Sequence, residues 1–100
     1  MANKNVSNIL ESLKPIVTAM GKTLGKHFEI VLHDITQEAS IVAIENSHIS
    51  GRKIGDRAPD LLKNMLGSIK DNEDMILNYV IKTDEGRPLK STTVLIRNNS

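Results

Sequence analysis

Residues 29–35 read EIVLHDI and residues 40–56 read SIVAIENSHISGRKIGD. From His27 to Asp34, Phe28, Ile30 and Leu32 alternate with His27, Glu29, Val31 and His33, the two-residue period of a strand. Ile41 to Glu45 is a second short strand, and the intervening ITQEAS has turn character and a length ordinary for an antiparallel hairpin. Asn46 to Asp56 then forms a polar loop, in which Gly51 and Gly55 let the backbone bend tightly. His33 and Asp34 close the first strand, whereas Asn46, His48, Ser50 and Arg52 follow the second. A hairpin is expected to bring these two ends within reach of each other, at the mouth of an apolar sheet.

Upstream, Val6, Ile9, Leu10, Leu13, Ile16, Val17, Met20 and Leu24 recur at three- and four-residue steps, predicting a one-sided helix from Asn5 to Leu24. Asn5 or Ser7 is placed to cap its start and Gly21 or Gly25 to end it, while Pro15 predicts a kink or a restart. Downstream, Pro59 suits a first helical turn and Leu61, Leu62, Met65, Leu66 and Ile69 continue a helical spacing. Met75 to Thr83 and Leu89 to Arg97 read as two strands joined by DEGRP, residues 84–88, and the terminal NNS is expected to fray. Helix, two strands, helix and two strands make an α+β chain.

Composition narrows the function. One hundred residues with 39% apolar content fit one domain with a modest core. One Phe, one Tyr and no Trp leave no aromatic platform for stacking bases, and 13 basic against 12 acidic residues give a net charge of +1. Direct nucleic-acid contact by this chain is therefore not expected. With no cysteine there is neither a disulfide framework nor a thiolate zinc site. No stretch approaches the roughly 20 apolar residues of a membrane span, nor does the start resemble a signal peptide, so a cytoplasmic chain with no membrane partner is expected.

Four segments carry a family resemblance: LKPIVTAMGKTLG (13–25), EIVLHDI, SIVAIENSHISGRKIGD and LKSTTVLIRN (89–98), with Asn78 and Tyr79 between them. They cover nearly the whole chain, in order, and jointly the sequence resembles the YheO-like PAS domain, the amino-terminal module of a family of bacterial transcriptional regulators. The resemblance implies a PAS-like fold, an antiparallel sheet with helices on one face, in a domain that senses a small ligand or dimerises. It also implies a helix-turn-helix segment after the PAS module, which is absent here, so DNA binding is assigned to the parent protein. In the family, one more apolar strand normally follows the segment matching TTVLIRN. That last strand is missing, and the sheet is expected to be rearranged or completed by a partner chain. The amphipathic first helix, Val6 to Leu24, is the expected surface of a homodimer.

The polar residues admit more than one reading. His33 and Asp34 either contact a ligand or serve the turn, Asp34 as its cap and His33 on a backbone carbonyl. His33, Asp34 and His48 are also the ligand types that zinc or iron accepts, but their spacing fixes no geometry, so no metal is expected and no cofactor is identified. Ser50, His48 and Asp34 supply nucleophile, base and orienter types without the turn or oxyanion hole of a hydrolase, and no enzymatic role is expected. Arg52 suits bidentate capture of a carboxylate, unless it pairs with Asp56 or Asp34. Asn78 and Tyr79 point to opposite faces of their strand, so one of them is expected to meet the pocket, and either Ser91 with Thr93 or Lys90 with Thr92 is placed to line its floor.

Overall fold

A computed structural model describes residues 4–97, with side chains from Ser7 onward. The fold is α+β, and the described chain divides into two compact units between Lys63 and Asn64. The first unit opens with helix α1, Lys4–Leu24. Its first turn precedes Ser7, which therefore is not the cap; the side chains of Asn5 and Val6 lie outside the described residues, as does the terminal NNS. The helix runs through Pro15 without the expected restart. Pro15 and Glu11 are both exposed, so water can serve the Glu11 carbonyl that the proline cannot bond. Gly25 ends the helix at φ 90°, its N–H reaching the Gly21 carbonyl at 3.1 Å.

The chain then turns at Phe28, whose N–H bonds the Gly25 carbonyl, and this turn takes up part of the expected first strand. Strand β1 is accordingly only Ile30–His33, paired antiparallel with β2, Ile41–Glu45. The register sets Ile30 against Glu45 and His33 against Ile41, with an irregularity between Leu32 and His33. Asp34 shapes the intervening turn: its Oδ1 accepts from the Thr36 N–H at 3.0 Å and from the Thr36 hydroxyl, while its own N–H bonds the Ser40 carbonyl.

After β2 the polar loop doubles back. The Ile41 N–H donates to the Asp56 carbonyl at 3.1 Å, and the Ile41 carbonyl accepts from Gly55 N–H at 2.9 Å. Ile41 is thus enclosed by β1 on one side and by the returning loop on the other, and it is only 1% exposed. Helix α1 lies on this ladder, with Val17 and Gly21 buried. At Gly21 the approach is closest: an added Cβ would overlap the Glu45 Cβ and stand 2.8 Å from its Cγ.

Helix α2, Asp60–Gly67, spans the division between the units and ends sooner than its apolar spacing predicts. Pro59 stands just before it, with the Pro59 carbonyl accepting from Lys63 N–H. In the second unit, β3 (Met75–Lys82) and β4 (Pro88–Val94) pair antiparallel. Gly86, at φ 85°, turns the hairpin, and Thr83 N–H bonds the Arg87 carbonyl across it. The described strands therefore form two two-stranded ladders, β1-β2 and β3-β4, each made by neighbours in sequence. Short connections make such pairings cheap in chain entropy.

Gly21→Ala is expected to destabilise the chain by about 1–3 kcal/mol, because the new methyl meets the first atoms of Glu45 rather than a flexible end. Gly67→Ala, where nothing lies within 4 Å of an added Cβ, is expected to be neutral or stabilising by up to about 1 kcal/mol. Urea unfolding of the two variants side by side checks the contrast.

Candidate functional site

The β1-β2 register divides the polar residues into two groups. An antiparallel pair sets the end of its first strand beside the start of its second, so His33 and Asp34 meet Ser40 and Ile41, not Asn46. Along β1 the two ends of the ladder are about 10 Å apart at ordinary strand rise. The hairpin alone does not unite the groups as its sequence suggested; the loop that follows links them.

At the Glu45 end, Asn46 takes a left-handed backbone conformation, φ 59°. Its side-chain Nδ2 donates toward three carbonyls: Gly21 at 3.1 Å, Gly25 at 2.9 Å and Phe28 at 2.6 Å. Asparagine suits both demands, since it tolerates φ > 0 and carries an amide long enough to reach the backbone. Next to it, His48 Nε2 lies 2.8 Å from the Lys26 carbonyl and must donate there. Both side chains thereby fasten the segment between α1 and β1. Ser50 continues the line, its N–H and hydroxyl both donating to Glu29 Oε2, at 3.2 and 2.6 Å, while its Oγ accepts from Arg52 N–H at 3.1 Å.

At the other end, His33 Nδ1 lies 2.8 Å from the Ser40 hydroxyl, and Ser40 is only 1% exposed. Burial lowers the His33 pKa from its ordinary 6.5, and the positive charge of Arg52 lowers it further. Neutral imidazole is favoured. Arg52 is half-buried, and among the described residues no acidic group forms an ion pair with it. Both carboxylates that the sequence offered it are engaged in turns: Asp34 with Thr36, and Asp56 Oδ2 with Lys53 N–H at 3.0 Å.

Ser50, His48 and Asp34 each have a different partner, Glu29, the Lys26 carbonyl and Thr36 respectively. No triad geometry links them. Among the described residues no three His, Asp or Glu side chains converge as metal ligands, and no helix is long and apolar enough to cross a membrane.

Asn78, Tyr79 and Ser91 belong to the second unit. Asn78 is a bulge residue of β3 at φ 55°, exposed, with its N–H on Thr92 Oγ1 at 3.2 Å. Tyr79 is half-buried, its hydroxyl hydrogen-bonded to that of Thr93, and Ser91 pairs across the ladder from Tyr79. The bulge interrupts strict alternation, leaving Leu77 and Asn78 both exposed.

Ser40 and Glu29 escaped the sequence reading. The signal for Ser40 was its place before β2, opposite the end of β1; for Glu29 it was the shared strand parity with His33. Neither says which loop residue will reach it.

A family model described as "YheO-like PAS domain" matches residues 4–100. Over 93 residues the chain is 33% identical to "Uncharacterized protein YheO" of Escherichia coli (strain K12) and of Shigella flexneri, covering 91% of this chain and 39% of each relative. An "Uncharacterized protein" of Haemophilus influenzae is 31% identical over 93 residues, covering 92% of this chain and 42% of the relative. The chain therefore spans about two-fifths of the length of these curated relatives. No solved structure gives a significant match.

Asn46→Gly, which keeps the backbone freedom and removes the amide, is expected to cost about 1–3 kcal/mol in urea unfolding. Asn46→Ala is expected to cost about 1–2 kcal/mol more, because alanine also resists the left-handed conformation. Since the folded-state pKa of His33 is lowered, the unfolded chain binds more protons as pH falls through 6.5. Stability is expected to be full above that value and to decline below it until the lower folded-state pKa is passed. Unfolding curves across this range check the sign, and His33→Gln is expected to flatten the slope.

Proposed function

The chain belongs to the YheO-like PAS domain family, and on that premise we propose that it is the sensory and dimerisation domain of a bacterial transcriptional regulator. In this reading it holds a small ligand without covalent chemistry, inside the cytoplasm, and DNA contact is made elsewhere in the parent protein. The observation that carries the proposal is the fastening of loop 46–56. Asn46 and His48 tie the start of the loop to the carboxyl end of α1, and Gly55 and Asp56 tie its far end to Ile41, with Arg52 between them. A ligand drawn to Arg52 would bias the loop and, through Asn46, the end of the helix. Such a bias shifts populations only as far as the ligand prefers one arrangement over the other.

Helix α1 supports the dimer. Its apolar arc is wider than the flank that packs on the β1-β2 ladder: Val17 is buried, whereas Ile16 is 51% exposed and Met20 and Leu24 are also exposed. Ile9 and Leu13 are half-buried, so they report packing as well as association. We assign the dimer surface to the uncovered flank, paired with a second copy of the same helix.

Native mass spectrometry of the freshly purified chain tests both halves of the reading. A dimer carrying a reproducible extra mass is expected. The double variant Ile16→Lys/Met20→Lys is expected to remain folded and run as a monomer; an unchanged dimer would place the interface elsewhere. A chain that is dimeric and never retains a compound would favour a ligand-free dimerisation module.

A further inference from the structure

At the His33 end of the β1-β2 ladder, proton accounting decides which chemistry the side chains offer. The Ser40 hydroxyl is buried beside His33 Nδ1, 2.8 Å away. If Nδ1 carried the proton and donated to Ser40, the buried hydroxyl hydrogen would need a second acceptor, and no other Ser40 hydroxyl bond is found among the described residues. If instead the hydroxyl donates to Nδ1, both groups are satisfied. The neutral ring then carries its proton on Nε2, the nitrogen facing away from that bond.

Backbone geometry sets Arg52 between the two ends of the ladder, and the turn that follows it, closed by Lys53 and Asp56, is fastened at the His33 end. Gly55 and Asp56 are hydrogen-bonded to Ile41, and Ile41 is the ladder partner of His33. The Arg52 N–H is held by Ser50, which is itself held by Glu29 before β1. Arg52 is half-buried and forms no ion pair among the described residues, where Asp34, Asp56 and Glu29 are bonded to Thr36, Lys53 and Ser50. A guanidinium has no acceptor atom, and an imidazole protonated on Nε2 offers a donor there.

We propose that Arg52 and the Nε2–H of a neutral His33 form the binding site for a small carboxylate, with the buried Ser40 hydroxyl fixing the histidine tautomer. This rests on the sensory reading above and names the ligand class that the reading leaves open. One guanidinium and one neutral donor supply a single positive charge. That balances a carboxylate monoanion and falls short of a phosphate dianion, while the planar fork matches two carboxylate oxygens.

Long-range imidazole 15N–1H spectra and Arg52 side-chain signals, recorded on the labelled full chain, test the proposal with pyruvate as the probe. Acetamide, inorganic phosphate and sodium chloride at matched ionic strength are the controls. Before any addition, His33 is expected to show the Nε2–H pattern; an Nδ1–H tautomer would overturn the assignment. Pyruvate is expected to shift His33 and Arg52 together, with acetamide and chloride inert and phosphate weaker. Arg52→Ala is expected to weaken pyruvate binding by about ten- to a hundredfold, and Arg52→Lys, which keeps the charge but loses the fork, is expected to fall between.

If both variants bind as well as the parent chain, or if phosphate or chloride moves His33 as much as pyruvate does, the carboxylate site is wrong. If pyruvate leaves both residues unmoved while native mass spectrometry finds a neutral or cationic compound retained, the ligand class fails and the sensory reading stands. If no compound is retained and pyruvate has no effect, both fail.

Discussion

The side-chain amide of Asn46 sits where three elements would otherwise separate. Its Nδ2 reaches the Gly21 and Gly25 carbonyls at the end of α1 and the Phe28 carbonyl ahead of β1, while its own backbone leaves β2 in a left-handed turn. The Gly21 and Gly25 carbonyls already accept the Gly25 and Phe28 N–H groups, and the Asn46 amide takes up acceptor capacity that remains on them. One asparagine thereby binds the turn together and sets the direction in which the polar loop departs. The close passage of α1 over β2 at Gly21 depends on the same junction, because an amide that donates to the Gly21 carbonyl must stand beside it.

From that junction the loop behaves as a third, irregular strand. It leaves the Glu45 end, is held at Glu29 through Ser50, and returns to Ile41 through Gly55 and Asp56. Among the described residues the buried apolar side chains are few, Val17, Ile41 and Ala58, so polar links contribute much of the order in the first unit. Such links are individually modest, about 1 kcal/mol net each, but leaving a buried partner unsatisfied costs more than the bond contributes. Removing the side chain of Asn46 or Ser40 would leave partners of this kind unsatisfied. The arrangement also joins the Arg52 side of the loop mechanically to the end of α1.

The local elements were legible because their signals are local. Period-two alternation marked β1, and short runs of strand-forming residues bounded by turns marked β2, β3 and β4; three- and four-residue spacing marked α1 and α2; and Gly25 and Gly86 occupy the left-handed turns that glycine suits. Boundaries were less legible. His27 and Phe28 alternate like strand residues yet belong to the turn that follows α1, and Pro15 passes through a helix whose exposed side tolerates the missing donor. Asn78 carries a bulge that no alternation rule anticipates.

The candidate site was legible as an inventory and not as an arrangement. By itself, the sequence determined which residue types would stand in the loop and at the strand ends, the family to which the chain belongs, and the scarcity of basic surplus and aromatic rings. Tertiary structure alone decided that His33 meets Ser40 rather than Asn46, that Asn46 and His48 are committed to backbone carbonyls, and that Arg52 forms no ion pair with an acid among the described residues. The reason is physical. Period and propensity are properties of neighbours along the chain, whereas the partner of a side chain depends on antiparallel register and on where a loop is fastened.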